Sequence, residues 1–259
     1  MIFDTHTHYD DAAFAEDRKT LLASLKEAGV GHIINVSADP ASIETTSEIA
    51  ETVPFAYGAL GIHPDSVGWF NEENLAYLEE TLDRPRIVAV GEIGLDYHWN
   101  VEDKETQKKW FRAQLSLARK KKLPVIIHSR DAAADTMEIV KDEEVGKIGG
   151  VMHCYSYSPE QAREYVAMGL SLGIGGVVTF KNAKKTVQVV EETPLTSILL
   201  ETDCPYLAPT PHRGSRNSSM YLPYVVAKIA EIKGITEEEV IRVTQENAFR
   251  VFRLEDTKR

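Results

Sequence analysis

Apolar positions along this chain fall into two alternating kinds of spacing. Short, nearly unbroken apolar runs of the kind carried by strands buried on both faces recur between longer stretches that keep one apolar face at helical spacing. The runs lie at 2–6 (IFDTH), 31–37 (GHIINVS), 54–63 (PFAYGALGIH), 86–94 (RIVAVGEIG), 123–129 (LPVIIHS), 149–156 (GGVMHCYS), 170–176 (LSLGIGG) and 197–203 (SILLETD). Strand and helix in strict alternation predict a parallel sheet of successive βα units.

Punctuation between the runs supports the helices. In SPEQAREYVAMG, Ser158 is placed to cap a helix N-terminus, Pro159 suits its first position, and Gly169 suits its stop. The stretch 101–122 aligns Trp110, Gln114, Leu115 and Ala118 on one inner face, with acids early and Lys120 to Lys122 late, as the helix dipole favours. After the eighth run, SMYLPYVVAKIAEIKG and TEEEVIRVTQENAFRVF read as two closing helices, the second with Thr236 and Glu239 as a capping box. Neither a low-complexity segment nor a domain linker interrupts the pattern. The expectation is one α/β domain over 1–259, a single (β/α)8 barrel with extra C-terminal helices.

Composition changes this picture little, at 43% hydrophobic and 27% charged. The opening MIFDTHTH is not a basic stretch followed by a long apolar one, and no apolar run approaches the roughly 18–20 residues of a membrane span, so a cytoplasmic protein without a membrane partner is expected. Cys154 and Cys204 lack CxxC spacing and read as incidental thiols. A net charge of −11 argues against coating nucleic acid through a broad basic surface. It leaves room for an enzyme acting on phosphates through bound divalent cations.

Histidines and carboxylates gather where barrel enzymes keep their sites. His6 and His8 end the first run, His63 the third, Glu92 lies near the end of the fourth, His128 of the fifth, His153 of the sixth and Asp203 of the eighth. C-terminal strand ends converge on one mouth. In a strand, positions two apart share a face, so both imidazoles of THTH can reach one point. Four imidazoles and two carboxylates exceed one tetrahedral site but suit two metals sharing a carboxylate. Glu92 is expected to bridge, His6, His8 and Asp203 to complete one site, and His128 and His153 the other. Mixed nitrogen and oxygen ligation suits Zn, Mn, Fe or Co, with Mg favouring more oxygen. Such a pair makes hydroxide available by lowering the pKa of water from about 15.7 to roughly 7, and Asp203 is placed to take the proton. Asp4 reads either as a support for a ligating imidazole or as structural, His32 as structural, and His98 is open.

These segments resemble the TatD family of metal-dependent deoxyribonucleases within the amidohydrolase-like barrels. The likeness rests on FDTHTHYD, FAEDR, GIHP, GEIGLDY, IIHSRDA, HCYS, ETDCPYLAP and PHRG in order, across nearly the whole chain. It implies His6, His8, Glu92, His128, His153 and Asp203 as metal ligands, with His63 beside the substrate phosphate. It also implies a nuclease acting on DNA, often from the 3′ end of single strands. Asp203, Glu92 and His63 are thus the expected catalytic set. Phosphotriesterase-like relatives bridge through a modified lysine on strand four, where this chain has Glu92.

The chain departs from the family pattern at Cys204, at Tyr157, and at Asn217-Ser218-Ser219, where many members continue Asn-Glu-Pro. That last loop bears on substrate choice. Substrate binding is expected from His63, Arg130 and Arg213, with Arg216 a lesser candidate, and Tyr97, Trp99, Tyr155 and Tyr157 are positioned either to stack bases or to pack the rim. The expected substrate is DNA, bound transiently, with no obligate protein partner. Aminoacyl-tRNA or a small ester would suit the same hydroxide. A non-catalytic metal or nucleic-acid binder and a metal-free barrel isomerase are the other classes.

Overall fold

The computed structural model describes residues 1–99 and 101–254; Asn100 and residues 255–259 of the expected domain lie outside the described residues. Eight parallel strands form one sheet in chain order: β1 (Ile2–Thr7), β2 (Val30–Val36), β3 (Ala56–Leu60), β4 (Ile87–Asp96), β5 (Val125–Arg130), β6 (Gly150–Met152), β7 (Ser171–Ile174) and β8 (Ile198–Leu200). Between them run α1 (Arg18–Leu25), α2 (Ser42–Thr52), α3 (Glu72–Thr81), α4 (Lys104–Lys121), α5 (Ala133–Asp142), α6 (Val145–Ile148), α7 (Pro159–Ala167) and α8 (Lys184–Glu192). The expected closing helices follow as α9 (Leu222–Lys233) and α10 (Glu237–Val251). The fold is a (β/α)8 barrel.

All ten residues of β4 are buried, so that strand needs cover on both faces, which the barrel interior and the outer helices provide. Each buried Leu, Ile or Phe side chain contributes roughly 1.5–3 kcal/mol. The seam between β8 and β1 closes through a bridge from Thr7 to Cys204. There His8 N–H donates to the Cys204 carbonyl at 2.9 Å, Asp203 N–H to that of His6 at 3.0 Å, and the Thr5 hydroxyl to that of Leu200 at 3.0 Å.

The expected caps form. Ser158 accepts from Gln161 N–H and Thr236 from Glu239 N–H, contacts of a kind that contribute ~1 kcal/mol each. On α4, Gln114, Leu115 and Ala118 are buried, whereas Trp110 is partly exposed and stacks on Phe70 at 4.7 Å. Two buried glutamines of this helix hold strand ends. Gln114 both donates to and accepts from the Ile62 backbone, at 3.0 and 2.8 Å, and Gln107 does the same for Asp96, at 2.8 Å each way. His32 packs against Phe3 and Phe249, each at 5.2 Å, at the far end of the barrel from the mouth, as its structural reading expects.

Several strands end earlier than their apolar runs. His63 lies beyond β3, as the N-cap of a 3-10 turn over Pro64–Trp69, while His153 lies just past β6 and Asp203 past β8. Left-handed backbone at Cys154 (φ 44°) and Asp203 (φ 59°) turns the chain there, so these segments leave the ladder at the mouth.

Candidate metal centre

Alternation along β1 sends His6 and His8 to one point, where their Nε2 atoms stand 3.0 Å apart. His8 Nδ1 lies 2.8 Å from the Val36 carbonyl, which can only accept, so Nδ1 carries a proton and Nε2 is the atom turned toward this point. Toward that point also come Glu92 Oε2, 3.4 Å from His6 Nε2 and 3.6 Å from His8 Nε2, and Asp203 Oδ1, 3.9 and 3.5 Å from the same two atoms. The donor atoms of a tetrahedron with bonds of ~2.0–2.1 Å lie about 3.3–3.5 Å apart. These four side chains therefore fit a cation, and His6, His8 and Asp203 form one of the groups able to hold one.

Glu92 directs its other oxygen to the opposite side. Oε1 is 2.8 Å from His128 Nδ1 and 3.8 Å from His153 Nε2. One carboxylate thus has an oxygen toward each pair of imidazoles. The second side is less evenly drawn: His63, Glu92 and His128 form a close group, while His153 groups with His6 and Glu201, and the His128 and His153 rings lie 6.5 Å apart. His128 Nε2 contacts Asp96 Oδ2 at 3.0 Å, so its ring is held between two carboxylates.

Three carboxylates in this cluster were not singled out from the sequence. Asp96 fixes His128 and accepts from the backbone N–H groups of His98 and Trp99, at 2.8 and 3.4 Å. Glu201 Oε1 accepts from Cys154 N–H at 2.6 Å and stands 3.1 Å from His153 Nδ1, at an angle outside that of a hydrogen bond. Asp65 groups with His63 and Asp96, and its N–H donates to His63 Nδ1 at 3.2 Å. The available signal is spacing by even numbers: Glu201 stands two before Asp203, and Asp96 four after Glu92. Glycines make room for the supports. A Cβ on Gly173 would meet Glu201 Oε2 at 2.0 Å, and one on Gly94 (φ 147°) would meet the His128 carbonyl at 1.9 Å.

Asp4 does not reach an imidazole side chain. It accepts from the Thr202 hydroxyl at 2.7 Å, Thr202 N–H at 3.0 Å and the Ser219 hydroxyl at 2.6 Å, tying β1 to the segment that carries Asp203. Burial pushes its carboxyl up to about 7. The Asn217-Ser218-Ser219 departure belongs to the same clamp, with Asn217 Nδ2 donating to the carbonyls of Thr202 and Tyr206, at 2.9 and 2.7 Å.

The charges in the cluster hold one another ionised. Burial pulls His8 down, but its hydrogen bond to Asp203 and the charges of Glu92 and Asp203 outweigh it, leaving the imidazole at about 9. His128, also pulled down by burial, is raised to about 9 by Asp96 and Glu92. Burial would raise Asp203 and Glu92, yet the surrounding imidazoles hold both below the usual carboxylate range. Burial and then His128 lower His63 to about 3, so it stays neutral. Both cysteines are free thiols, and burial lifts Cys154 to about 12.

Around the mouth, Arg130 is exposed, and Arg213 lies over the Phe180 ring at 3.6 Å. Arg216 is committed to Asp17, at 2.8 and 2.5 Å, and His98 Nδ1 to Asp131 at 3.0 Å. Of the four aromatic candidates, Tyr155 is buried, Tyr157 hydrogen-bonds Ser129 at 3.0 Å, and Tyr97 donates to Asp135 at 2.7 Å beneath Lys104. Trp99 is exposed. No helix among the described residues is long and apolar enough to cross a membrane.

Known proteins match the chain over its length. The family model described as TatD related DNase matches residues 3–253. The uncharacterized metal-dependent hydrolase YabD of Bacillus subtilis is 44% identical, covering 98% of this chain and 100% of that protein. A Pantoea vagans protein named 3′-5′ ssDNA/RNA exonuclease TatD is 30% identical, with 98% and 100% covered. The crystal structure of the TatD homologue YJJV from Escherichia coli superposes with a TM-score of 0.92 at 32% identity, covering 98% of each chain. Barrel, clustered histidines and carboxylates, and these matches together mean that the chain belongs to the TatD family of metal-dependent hydrolases.

Proposed function

We propose that this protein is a two-metal phosphodiesterase that shortens single-stranded DNA from its 3′ end, with His6, His8, Glu92, His128, His153 and Asp203 as ligands. The observation that carries the reading is Glu92, whose two oxygens approach two separate pairs of imidazoles. Divalent cations held there would supply water acidic enough to ionise near neutral pH and would offset phosphate charge despite the net charge of −11. The exonuclease name of the Pantoea vagans relative supports the substrate.

The chain's own side chains supply the rest. Asp203 and His128 are the most open of the six, with 18% and 17% of their side chains exposed against 5% for Glu92 and 0% for His6, and Asp203, the carboxylate of the two, takes the proton of the attacking water. His63 accepts the Asp65 N–H on Nδ1, so its neutral ring carries its proton on Nε2 and donates to a phosphate oxygen. Arg130 and Arg213, exposed at the rim, orient the strand beyond the cleaved bond.

The test is cleavage of 3′- and 5′-labelled single-stranded DNA by wild type and Glu92→Gln after chelation and graded return of Mg, Mn, Zn or Co. Cleavage restored in wild type alone, with the 3′ label released first, is the expected result. Intact DNA under every metal, with hydrolysis of an acyl ester instead, would transfer the site to ester or aminoacyl-tRNA substrates.

A further inference from the structure

Trp99 and Tyr206 differ from the other aromatic side chains at the mouth in exposure, although the His98 ring meets Trp99 edge-on at 4.8 Å. Trp99 is 63% exposed and Tyr206 54%, large apolar surfaces that ordinary packing would cover. Both are held by the groups that build the metal centre. Trp99 N–H donates to Asp96 Oδ1, the carboxylate whose other oxygen contacts His128, at 3.4 Å. Tyr206 N–H donates to the Asp203 carbonyl at 2.8 Å, and its hydroxyl is pinned to Asp11 Oδ2 at 2.9 Å. One ring follows β4 and the other β8, strands half a turn apart in a ring of eight.

We propose that Trp99 and Tyr206 are base-stacking walls on opposite sides of the metal centre, taking unstacked nucleobases on either side of the phosphate to be cut. The proposal rests on the nuclease reading above and adds what makes the site select single strands. A paired, stacked base has no open face to offer, whereas an unpaired one gains two. The ligand is a nucleobase because the wall at Trp99 is backed by a cation. The Arg130 guanidinium lies 5.3 Å from the ring centroid, exposed and near enough to Asp65 to lower its carboxyl but not in a salt bridge with it, and it is placed to meet the phosphate attached to the stacked base. Tyr97, Tyr155 and Tyr157 are set aside because each is at least partly buried, whereas the bond that pins the Tyr206 hydroxyl leaves its ring exposed.

Wild type, Trp99→Ala, Trp99→Phe and Tyr206→Ala are compared on a 3′-labelled single-stranded oligonucleotide and on the same strand with base-free tetrahydrofuran residues at its 3′ end. The readout is the ratio of kcat/KM for the base-bearing strand to that for the base-free strand. Trp99→Ala and Tyr206→Ala should each lower that ratio about 5- to 100-fold, mainly through KM, with Trp99→Phe restoring most of it. A Trp99→Ala ratio equal to that of wild type, or an equal loss on both strands, would overturn the proposal. A second measurement does not depend on cleavage. Tryptophan emission of Glu92→Gln with divalent cation present is titrated with oligothymidylate, and quenching should vanish when Trp99→Phe is added. Quenching unaffected by Trp99→Phe sinks the stacking wall even if wild type cuts DNA. Trp99-dependent quenching with no cleavage by wild type under any metal leaves the wall standing and rejects the nuclease reading instead.

Discussion

Gly94→Ala isolates how closely the candidate centre depends on strand spacing. Gly94 pairs with His128 in the β4–β5 ladder, and a Cβ there would lie 1.9 Å from the His128 carbonyl oxygen and 2.9 Å from its carbon. Real Cβ atoms keep about 3.0 Å, so the two strands must part by roughly 1 Å at the residue that offers an imidazole to Glu92. Misplacing a reacting constellation by about 1 Å costs on the order of 10²-fold in rate. The φ of 147° adds conformational strain of roughly 1–3 kcal/mol.

Gly29→Ala separates the two effects, because Gly29 has φ 86° with nothing within 4 Å of a Cβ. Thermal midpoint, metal dissociation constant and metal-dependent kcat/KM are measured for both variants. Gly29→Ala should lower the midpoint by a few degrees, at about 2–4 °C per kcal/mol for a chain of this size, and keep wild-type turnover. Gly94→Ala should lower the midpoint further and lose roughly 100-fold in turnover or metal affinity. Wild-type turnover and metal affinity in Gly94→Ala would refute the reasoning, as would an equal loss in Gly29→Ala.

Two further outcomes follow from the carboxylate–imidazole contacts. His8 and His128, raised to about 9, are protonated in the metal-free fold at pH 7, so cation binding through these imidazoles, as proposed, would expel those protons. Metal affinity should rise up to about 100-fold per histidine between pH 7 and 9 and then level off. Conversely, what these groups add to metal-free stability is full below about 6.5 and is lost as pH climbs through about 9. Calorimetry in buffers of different ionisation heat counts the protons, and none released at pH 7 would contradict the assignment. Glu201→Gln keeps an acceptor for Cys154 N–H but removes the charge beside His153, and should weaken metal binding about 10- to 100-fold in chelator competition. Unchanged affinity would leave Glu201 a purely structural group.

The barrel was legible because its strands are apolar on both faces and its helices carry caps, signals that survive without knowledge of neighbours. The histidines were placed from the same signal, since the C-terminal ends of parallel strands meet. Asp96 and Glu201 were not, because a carboxylate near a strand end is common and its partner depends on register across the sheet. Gly94 stands opposite His128, and Asp96 opposite Arg130, through a β4–β5 ladder with a shift between Val90 and Ile93 that no local pattern reveals. The aromatic rim was similarly undecided, since Tyr155 and Trp99 differ in exposure and not in composition.

The seam where β8 meets β1 bears on how the protein is made. His6 and His8 emerge early in synthesis, whereas Asp203 and the Ser219 that fastens Asp4 arrive only after most of the chain. A growing polypeptide cannot set Asp203 beside His6 and His8 until the barrel shuts. The proposed centre would therefore gain its full set of donors only once folding is complete, so that metal affinity would report closure of the seam.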